Sequence, residues 1–317
     1  MLGLAHLDRP FDYLVDAVDD GTAVVGARVR IRFAGRLVDG FILERRADSD
    51  HVGTLSYLDR VVSAEPVLTP DLAALTRAVA DRYAGTMSDV VRLAIPPRHA
   101  RTEARAADDV PAPPDPPALA GWSPYQHADS FIAALTAGAG SRPHAVWQAL
   151  PGEHAAQRIA ELVAAVAAAG RGAIVVVPDQ RDLDRLVAAC EPLLGERCVS
   201  LAAGLGPSTR YRRWLAALRG TAPVVIGTRS AVFAPVPNLG LVVVWDDGDD
   251  SLAEPRAPYP HPREVAVLRA HQQRCGFLVG GFARTAEAQA LVDSGWAHDL
   301  FADRPAVRSR MPRVQAL

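Results

Sequence analysis

Residues 173–177 read Ala-Ile-Val-Val-Val, and two similar runs of β-branched and aliphatic residues follow at 224–226 and 241–244. Alanine-rich stretches typical of helices separate these runs, and 277–279 is a further candidate strand. Strands that are apolar throughout and alternate with helices are typical of a parallel sheet with helices on both faces. From Trp122 onward the sequence therefore predicts an α/β lobe built on a parallel sheet.

The part of the chain before this lobe has a different pattern. Short strand-like pieces precede a stretch in which Leu72, Leu75 and Val79 recur at helical spacing, so one helix is expected within 69–83. A stretch with five prolines and little to bury follows at 101–121, which is typical of an extended linker. The predicted organisation is a small β-rich domain at 1–98, a proline-rich linker at 99–121 and the α/β lobe at 122–317.

Composition excludes several classes of site. All 34 basic residues are arginine, so the chain has no lysine for a Schiff base or a phosphate-binding loop. Cys190, Cys198 and Cys275 stand singly, which is too few for a disulfide framework or a cysteine-rich zinc site and is typical of a cytoplasmic protein. No run is apolar and long enough to predict a membrane span. With a net charge of −2, any nucleic-acid surface must be a local basic patch.

One candidate patch lies in residues 27–33, Ala-Arg-Val-Arg-Ile-Arg-Phe. In a strand, the period of two places Arg28, Arg30 and Arg32 on one face, while the apolar residues between them pack inward. A turn and a second apolar run follow, which predicts a hairpin. Guanidinium groups bind phosphate oxygens through paired hydrogen bonds, so this face is a candidate for binding a nucleic-acid backbone. The alternative is a solvated face neutralised by nearby carboxylates such as Asp39.

Three segments of the first part carry a resemblance: 7–14 (Leu-Asp-Arg-Pro-Phe-Asp-Tyr-Leu), 25–30 (Val-Gly-Ala-Arg-Val-Arg) and 65–69 (Glu-Pro-Val-Leu-Thr). They resemble the N-terminal DNA-binding domain of the primosomal protein N′ (PriA) family of replication-restart proteins. In that family the domain captures the 3′ end of the leading strand at a stalled fork. The resemblance implies pocket roles for Phe11, Asp12 and Gly26, although Ser56 stands where the family has a basic pocket residue. Core packing is the alternative for Phe11.

The second part carries a longer similarity to the same family. Residues 225–235 read Val-Ile-Gly-Thr-Arg-Ser-Ala-Val-Phe-Ala-Pro, and 259–270 read Tyr-Pro-His-Pro-Arg-Glu-Val-Ala-Val-Leu-Arg-Ala. Both resemble the family's helicase portion, which implies a RecA-like lobe, the first lobe of a superfamily 2 helicase. In the family the first of these segments faces the DNA strand, so the resemblance implies DNA contacts for Thr228, Arg229 and Ser230. The alternative is that Ser230 caps a turn and Arg229 packs structurally.

The resemblance also shows which residues of the family's nucleotide site are replaced. A phosphate-binding loop needs glycines, a lysine and a serine or threonine. The corresponding residues 149–155 read Ala-Leu-Pro-Gly-Glu-His-Ala. Gly152 remains, but Glu153 brings a negative charge towards any phosphate, and the next residues, His154 and Ala155, are neither lysine nor serine or threonine. The nucleotide site is therefore expected to be degenerate.

The metal-binding strand of the family departs in the same way. The family's Asp-Glu-Glu-His falls on 245–248, which read Trp-Asp-Asp-Gly, so Trp245 replaces the carboxylate that holds Mg²⁺. Asp246 is displaced by one residue, which points its side chain to the other face of a strand. Asp247 remains able to attract a cation, and a solvated acidic loop is the alternative. The family's Ser-Ala-Thr motif is also degenerate, at about 281–283.

These patterns predict a replication-restart protein that binds forked or single-stranded DNA and has no catalytic residues. No bound ATP or magnesium is expected, and the isolated cysteines cannot supply the family's zinc module. Single-strand-binding protein and other primosome proteins are candidate partners. Two alternatives stay open: an ATP-dependent 3′–5′ DNA helicase, and a protein-interaction scaffold that does not bind DNA. Trp122 and Tyr125 resemble the segment that contacts adenine in related helicases, and they are expected to pack in the core or between domains.

Overall fold

A computed structural model of the chain describes residues 7–107, 109–137 and 142–312. The chain forms two compact units. The first contains the residues up to Pro97 together with Arg256–Tyr259, and the second contains Arg98–Pro255 and the residues from Pro260 onward. A short segment from the second half of the sequence is thus part of the first unit. None of the described helices combines the length and the apolar character needed to cross a membrane.

The first unit contains a three-stranded antiparallel sheet and two helices. Its elements are β1 (Arg28–Phe33), β2 (Arg36–Phe41), β3 (Arg60–Ser63), α1 (Pro70–Arg82) and α2 (Met87–Ala94). The central strand is β1, because the sheet order is β2-β1-β3. Ala34 and Gly35 connect β1 to β2 with φ angles of 46° and 78°, the left-handed backbone that a two-residue hairpin turn requires. The inward side chain Val29 packs against Ala23, Ala27 and Ile42.

The expected closing helix is confirmed as α1. The hydroxyl of Thr69 accepts a hydrogen bond from the amide of Leu72 at 3.2 Å, and Pro70 occupies the first turn, where its missing amide hydrogen is not needed. The residues Leu72, Leu75 and Val79 are all buried, as their spacing predicts.

The second unit is built on a seven-stranded sheet with the order β10-β4-β9-β8-β5-β7-β6, and neighbouring strands of this sheet are parallel. The strands are β4 (His144–Gln148), β5 (Gly172–Val176), β6 (Cys198–Leu201), β7 (Val224–Gly227), β8 (Leu239–Trp245), β9 (Gly276–Gly281) and β10 (His298–Leu300). The helices are α3 (Ala100–Glu103), α4 (Ala128–Thr136), α5 (Ala155–Ala168), α6 (Gln180–Leu194), α7 (Pro207–Leu218), α8 (Pro262–Gln273), α9 (Ala286–Asp293) and α10 (Arg304–Arg310). The predicted α/β lobe with a parallel sheet is confirmed.

Parallel strands bring their carboxyl ends to one edge of the sheet, which is where open α/β sheets bind ligands. The loops that follow β4, β7, β8 and β9 therefore leave the sheet at the same edge. These loops carry the motifs that the sequence analysis identified, at 149–155, 228–230, 245–248 and 281–283.

The segment predicted as an extended linker is in part folded. It begins with α3, whose residue Glu103 is buried and accepts a hydrogen bond from the hydroxyl of Tyr211 on α7. Arg219 donates to the backbone oxygen of Glu103 at 3.1 Å, so this end of the segment packs on the second unit. The described residues between α3 and the short 3₁₀ turn Ala120–Trp122 form no helix or strand. The prediction of an extended linker was wrong at the start of this segment, because the buried Glu103 and its hydrogen-bond partners hold α3 in the second unit.

Candidate nucleic-acid interface and nucleotide cleft

The arginine face predicted on β1 is present. Register with β2 places Arg28 opposite Phe41, Arg30 opposite Asp39 and Arg32 opposite Leu37, so the three arginines share one face. The guanidinium of Arg28 lies 5.0 Å from the centroid of the Phe41 ring and donates to the backbone oxygen of Pro96 at 2.9 Å. This arginine is held close to the sheet.

The other two arginines differ in their partners. Arg30 forms an ion pair with Asp39 at 2.9 Å, with 34% of the arginine side chain and 68% of the aspartate side chain exposed. Arg32 donates to the backbone oxygen of Gly35 at 3.3 Å, an acceptor without a net charge. The alternative of a face neutralised by carboxylates therefore applies to Arg30, since its partner is Asp39, the carboxylate that the sequence indicated.

The sheet adds a cation that the sequence analysis missed. Arg60 begins β3 and lies directly opposite Arg30 in the antiparallel register between β1 and β3. The two residues are far apart in the sequence, and nothing in the local pattern around Arg60 predicts a strand beside β1. Only a prediction of which strands pair could have found it.

Phe11 lies at the carboxyl end of β1. Its ring meets the ring of Phe33 edge to face, with centroids 5.0 Å apart, and the guanidinium of Arg9 lies 5.2 Å from its centroid. Tyr13 donates its hydroxyl to the backbone oxygen of Arg32 at 3.2 Å, which ties the same segment to β1. The carboxylate of Asp12, which is exposed, accepts a hydrogen bond from the hydroxyl of Ser49.

Gly26 lies near the opposite end of β1 from Phe11, and its role in a DNA pocket stays a prediction. Gly26 precedes β1, whereas Phe11 contacts its last residue, about 17 Å further along an extended strand of this length. The amide of Gly26 donates to Ile42 at 2.8 Å, and its φ is +86°. An added Cβ would lie 2.5 Å from the backbone oxygen of Leu68. Glycine is needed there for close backbone packing.

The loop that joins β4 to α5 occupies the position of a phosphate-binding loop, between a parallel strand and a helix N-terminus. Pro151 has no amide hydrogen to donate. Four other amides of the loop donate within the protein: Ala149 to the Gly281 oxygen (2.9 Å), Leu150 to the Tyr125 hydroxyl (3.1 Å), Glu153 to the Leu150 oxygen (3.0 Å) and His154 to the Glu153 carboxylate (3.1 Å). These four amides are therefore already used within the protein.

The carboxylate of Glu153 lies beside the N-terminus of α5, where a phosphate-binding loop places its phosphate. It accepts hydrogen bonds from the amide of His154 and, at 2.7 Å, from the hydroxyl of Tyr125. Arg158 and Arg310 lie 3.7 and 3.5 Å from it, and only 7% of the Glu153 side chain is exposed. The positive end of a helix dipole attracts anions. Here the protein supplies that anion itself.

Aromatic side chains fill the adjacent space. Trp147 on β4 and Trp245 at the end of β8 both pair in register with Gly280 of β9, the strand between them. The two indole centroids are 5.4 Å apart, and Phe282 meets Trp245 edge to face at 5.4 Å. An added Cβ at Gly280 would lie 2.7 Å from the Trp147 ring, so glycine makes room for the indole. Trp122 and Tyr125 pack on Trp147, which confirms their expected place in the core.

The two aspartates that follow Trp245 differ in their surroundings. Asp247 is 5% exposed and accepts hydrogen bonds from Arg263 at 2.6 Å and from the hydroxyl of Thr285 at 2.8 Å. The alternative of a solvated loop was wrong for Asp247, because its partner is a buried guanidinium, which competes with a cation for the carboxylate. Burial raises the pKa of the Asp246 carboxyl, and neighbouring carboxylates raise it further, which disfavours the charged form that a metal binds. In the described ranges, no cluster of three or more histidine, cysteine or carboxylate side chains could hold a metal.

The loop after β7 is anchored to a neighbouring segment. Arg229 donates to the backbone oxygen of Ser251 at 2.6 Å, and its Nε lies 3.5 Å from the carboxylate of Glu254. Thr228 is half-buried and precedes the 3₁₀ turn Arg229–Phe233, whereas Ser230 is exposed. Arg229 therefore packs structurally, as the alternative to a DNA contact predicted. Ser230 does not cap the turn, since Thr228 is the residue that precedes it.

Comparisons with known proteins found matches to the first unit, which carries the arginine face, and to the α/β lobe. The family model for the 3′ DNA-binding domain (3′BD) of PriA matches residues 1–96. The probable replication restart protein PriA of Mycobacterium tuberculosis is 62% identical over 322 aligned residues, which cover 100% of this chain and 48% of that protein.

The chain belongs to the PriA family. The PriA of Mycobacterium leprae is 58% identical over 100% of this chain and 49% of that protein. The PriA of Treponema pallidum is 29% identical over 89% of this chain and 43% of that protein. The chain thus spans about half the length of the curated PriA relatives that it matches, and it corresponds to their N-terminal half. Among solved structures, RecG bound to a three-way DNA junction is similar with 14% identity and a TM-score of 0.40, over 74% of this chain and 29% of that chain.

A first prediction arises at Tyr125 of this PriA-family chain. Burial raises the pKa of its phenol above the ordinary value of 10.0; the hydrogen bond from Leu150 opposes this, and the Glu153 carboxylate adds to it. At neutral pH, Tyr125→Phe is expected to lower the free energy of unfolding by about 1–3 kcal/mol, because Glu153 and the Leu150 amide lose a partner. The measurement is urea unfolding.

The pH dependence checks the same contact. A phenol whose pKa is raised by folding adds stability that is complete below pH about 10 and is lost as the pH rises towards the raised value. The gap in unfolding free energy between the wild type and Tyr125→Phe should therefore shrink above about pH 10. A gap that widens in that range contradicts the buried, protonated phenol.

Proposed function

We propose that this chain is a DNA-binding replication-restart protein that recognises forked or single-stranded DNA through its first unit and does not hydrolyse ATP. The observation that carries the proposal is the match of residues 1–96 to a 3′ DNA-binding domain that bears a face of aligned arginines. Guanidinium groups on a strand face can bind successive phosphates, and such contacts supply most of the affinity for nucleic acid.

The cleft of the second unit supports the absence of ATP chemistry. Phosphoryl transfer depends on donors and a metal that hold the phosphates in place. The residues present do not fit ATP with Mg²⁺, because Glu153 carries a negative charge to the phosphate position and Trp245 fills the position of a metal ligand. A helicase remains the alternative that the family favours, and a scaffold without DNA binding is the third candidate.

Fluorescence anisotropy with a labelled fork tests DNA binding. We expect binding at moderate salt, a loss of affinity when the 3′ hydroxyl end is replaced by a 3′ phosphate, and a logarithmic salt slope of about −0.7 per contacted phosphate on a single strand. Replacing Arg28, Arg30 and Arg32 together by glutamine should weaken binding and flatten the slope. If the triple variant folds poorly, the double variant Arg30→Gln/Arg32→Gln serves instead, because it keeps the packed Arg28.

A matched triple variant controls for total charge: Arg181→Gln, Arg212→Gln and Arg308→Gln remove three exposed arginines from the second unit. It should bind the fork nearly as the wild type does. An unchanged salt slope in the Arg28, Arg30 and Arg32 variant contradicts the arginine face, and the lack of any binding favours the scaffold.

Isothermal titration with ATP and Mg²⁺ tests the other half of the proposal. No heat of binding and no turnover stimulated by forked DNA are expected. The helicase alternative would be established by ATP turnover that is stimulated by forked DNA and is abolished by substitutions at Glu153 or Asp247.

A further inference from the structure

The sheet of the first unit places two positive side chains against each other. Arg30 and Arg60 are direct partners in the antiparallel register of β1 and β3, so their side chains share a face with Cβ atoms about 4.5–5.5 Å apart. Like charges at such positions destabilise a sheet, whereas opposite charges stabilise it. The amide of Asp59, the residue before Arg60, donates to the Arg30 oxygen at 2.9 Å.

The charges around the pair do not balance. Across the three strands the row reads Asp39, Arg30 and Arg60, one carboxylate for two guanidiniums. Within the described parts of the chain, no carboxylate lies within 4.0 Å of the Arg60 guanidinium, and Arg60 is exposed. Exposed ion pairs such as Arg30 with Asp39 are weak, so Asp39 does not prevent Arg30 from binding an anion.

The surroundings of the pair indicate which anion fits. Arg28 and Arg32 lie on the same face of β1, at steps of about 6.8 Å along the strand. A row of cations at regular steps suits a chain of phosphates, because each guanidinium can meet a different phosphate, whereas a single free phosphate uses only one position. The domain's match to a 3′ DNA-binding family points to the same ligand class.

We propose that Arg30 and Arg60 form a clamp in which two guanidiniums bind one phosphodiester group of a single strand. This clamp rests on the proposed DNA binding and adds to it a residue, Arg60, that belongs to another strand. A phosphodiester between the two arginines supplies the missing negative charge and turns the unfavourable pair into a favourable site.

The test compares Arg30→Gln, Arg60→Gln and the double variant in the full chain, with a labelled single-stranded oligonucleotide that ends in a 3′ hydroxyl. Arg60→Gln should weaken binding about fivefold to tenfold, and the salt slope should fall by about 0.7, the contribution of one phosphate, when both arginines are replaced. The double variant should lose less than the product of the two single losses, because both arginines hold the same group. Arg46→Gln is the matched control, since it removes one positive charge that lies 3.8 and 3.9 Å from Asp48 and Asp50.

A second readout separates a clamp from a structural role. Without DNA, Arg60→Gln should unfold at the same temperature as the wild type or higher, most clearly at low salt, because the repulsion with Arg30 is removed. A structural arginine would lower that temperature. Replacing chloride by inorganic phosphate at equal ionic strength should leave DNA affinity unchanged.

The outcomes are distinguishable. Wild-type affinity and salt slope in Arg60→Gln, while the wild-type protein binds the strand, overturn the clamp and leave the proposed function standing. Displacement of the strand by low concentrations of inorganic phosphate also overturns it, since free phosphate is then the ligand. If the wild-type protein does not bind the strand at moderate salt, the proposed function fails and the clamp fails with it.

Discussion

Replacing Arg263 by methionine is expected to lower the free energy of unfolding by about 3–5 kcal/mol. Arg263 is 7% exposed, and its guanidinium lies 2.6 Å from the carboxylate of Asp247, which is 5% exposed. Among the residues that the structure describes, methionine leaves that buried carboxylate with the hydroxyl of Thr285 as its remaining side-chain hydrogen-bond partner, and a buried charge without its counter-charge is costly. Urea unfolding followed by tryptophan fluorescence measures the change.

Two variants make this prediction specific. Arg263→Met/Asp247→Leu removes both charges and should recover most of the lost stability, because apolar side chains can replace a buried ion pair at little cost. Arg185→Met breaks the ion pair with Asp182, in which 65% of the arginine side chain is exposed, and should cost less than about 1 kcal/mol. If Arg263→Met instead creates a site that Mg²⁺ stabilises, Asp247 is a latent metal ligand and its structural assignment is wrong.

The second large effect concerns Trp245, where the family has a carboxylate. Trp245→Asp restores that residue type, yet it is expected to destabilise the protein by at least about 3 kcal/mol and to give no ATP turnover. The indole is 7% exposed and lies against Trp147 and Phe282, so the change removes a large apolar group and places a charge in its contacts. Thermal unfolding and an ATPase assay with forked DNA measure both parts.

Trp245→Phe is the matched variant, since it keeps an apolar ring in the same space. It should destabilise the protein clearly less than Trp245→Asp does. A stable Trp245→Asp protein that binds ATP with Mg²⁺ would show that one carboxylate restores the site, and the proposed loss of ATP chemistry would be wrong.

Much of the fold follows from short-range patterns. The alternation in residues 27–33 predicts both the strand and its arginine face, and the spacing of Leu72, Leu75 and Val79 predicts α1. Four apolar runs predict β5, β7, β8 and β9, whereas β4, β6 and β10 were not predicted. Of these three strands, β4 and β10 begin with histidine and β6 contains Ser200, so they lack the uniform apolar pattern of buried strands.

The candidate sites were predicted less completely, because partners that are distant in sequence decide what a polar side chain does. Gly26 looked like a pocket residue, yet its position depends on the approach of the Leu68 backbone. Asp247 looked like a solvated or metal-binding residue until Arg263 was placed beside it. Arg60 showed no signal at all, since its importance comes from strand register with Arg30.

The sequence by itself determined that the chain has no lysine, and the resemblance to the family places a glutamate and a tryptophan in the motif positions for the phosphates and the metal. It also determined the arginine face, since side-chain alternation is a property of any strand. Only the tertiary structure decided how the vacated cleft is occupied, by the Glu153 carboxylate and the Trp147 and Trp245 indoles, and which arginines face each other across the sheet. The physical reason is that local periodicity is set by neighbouring residues, whereas the pairing of charges and the filling of space are set by contacts between segments that only folding brings together.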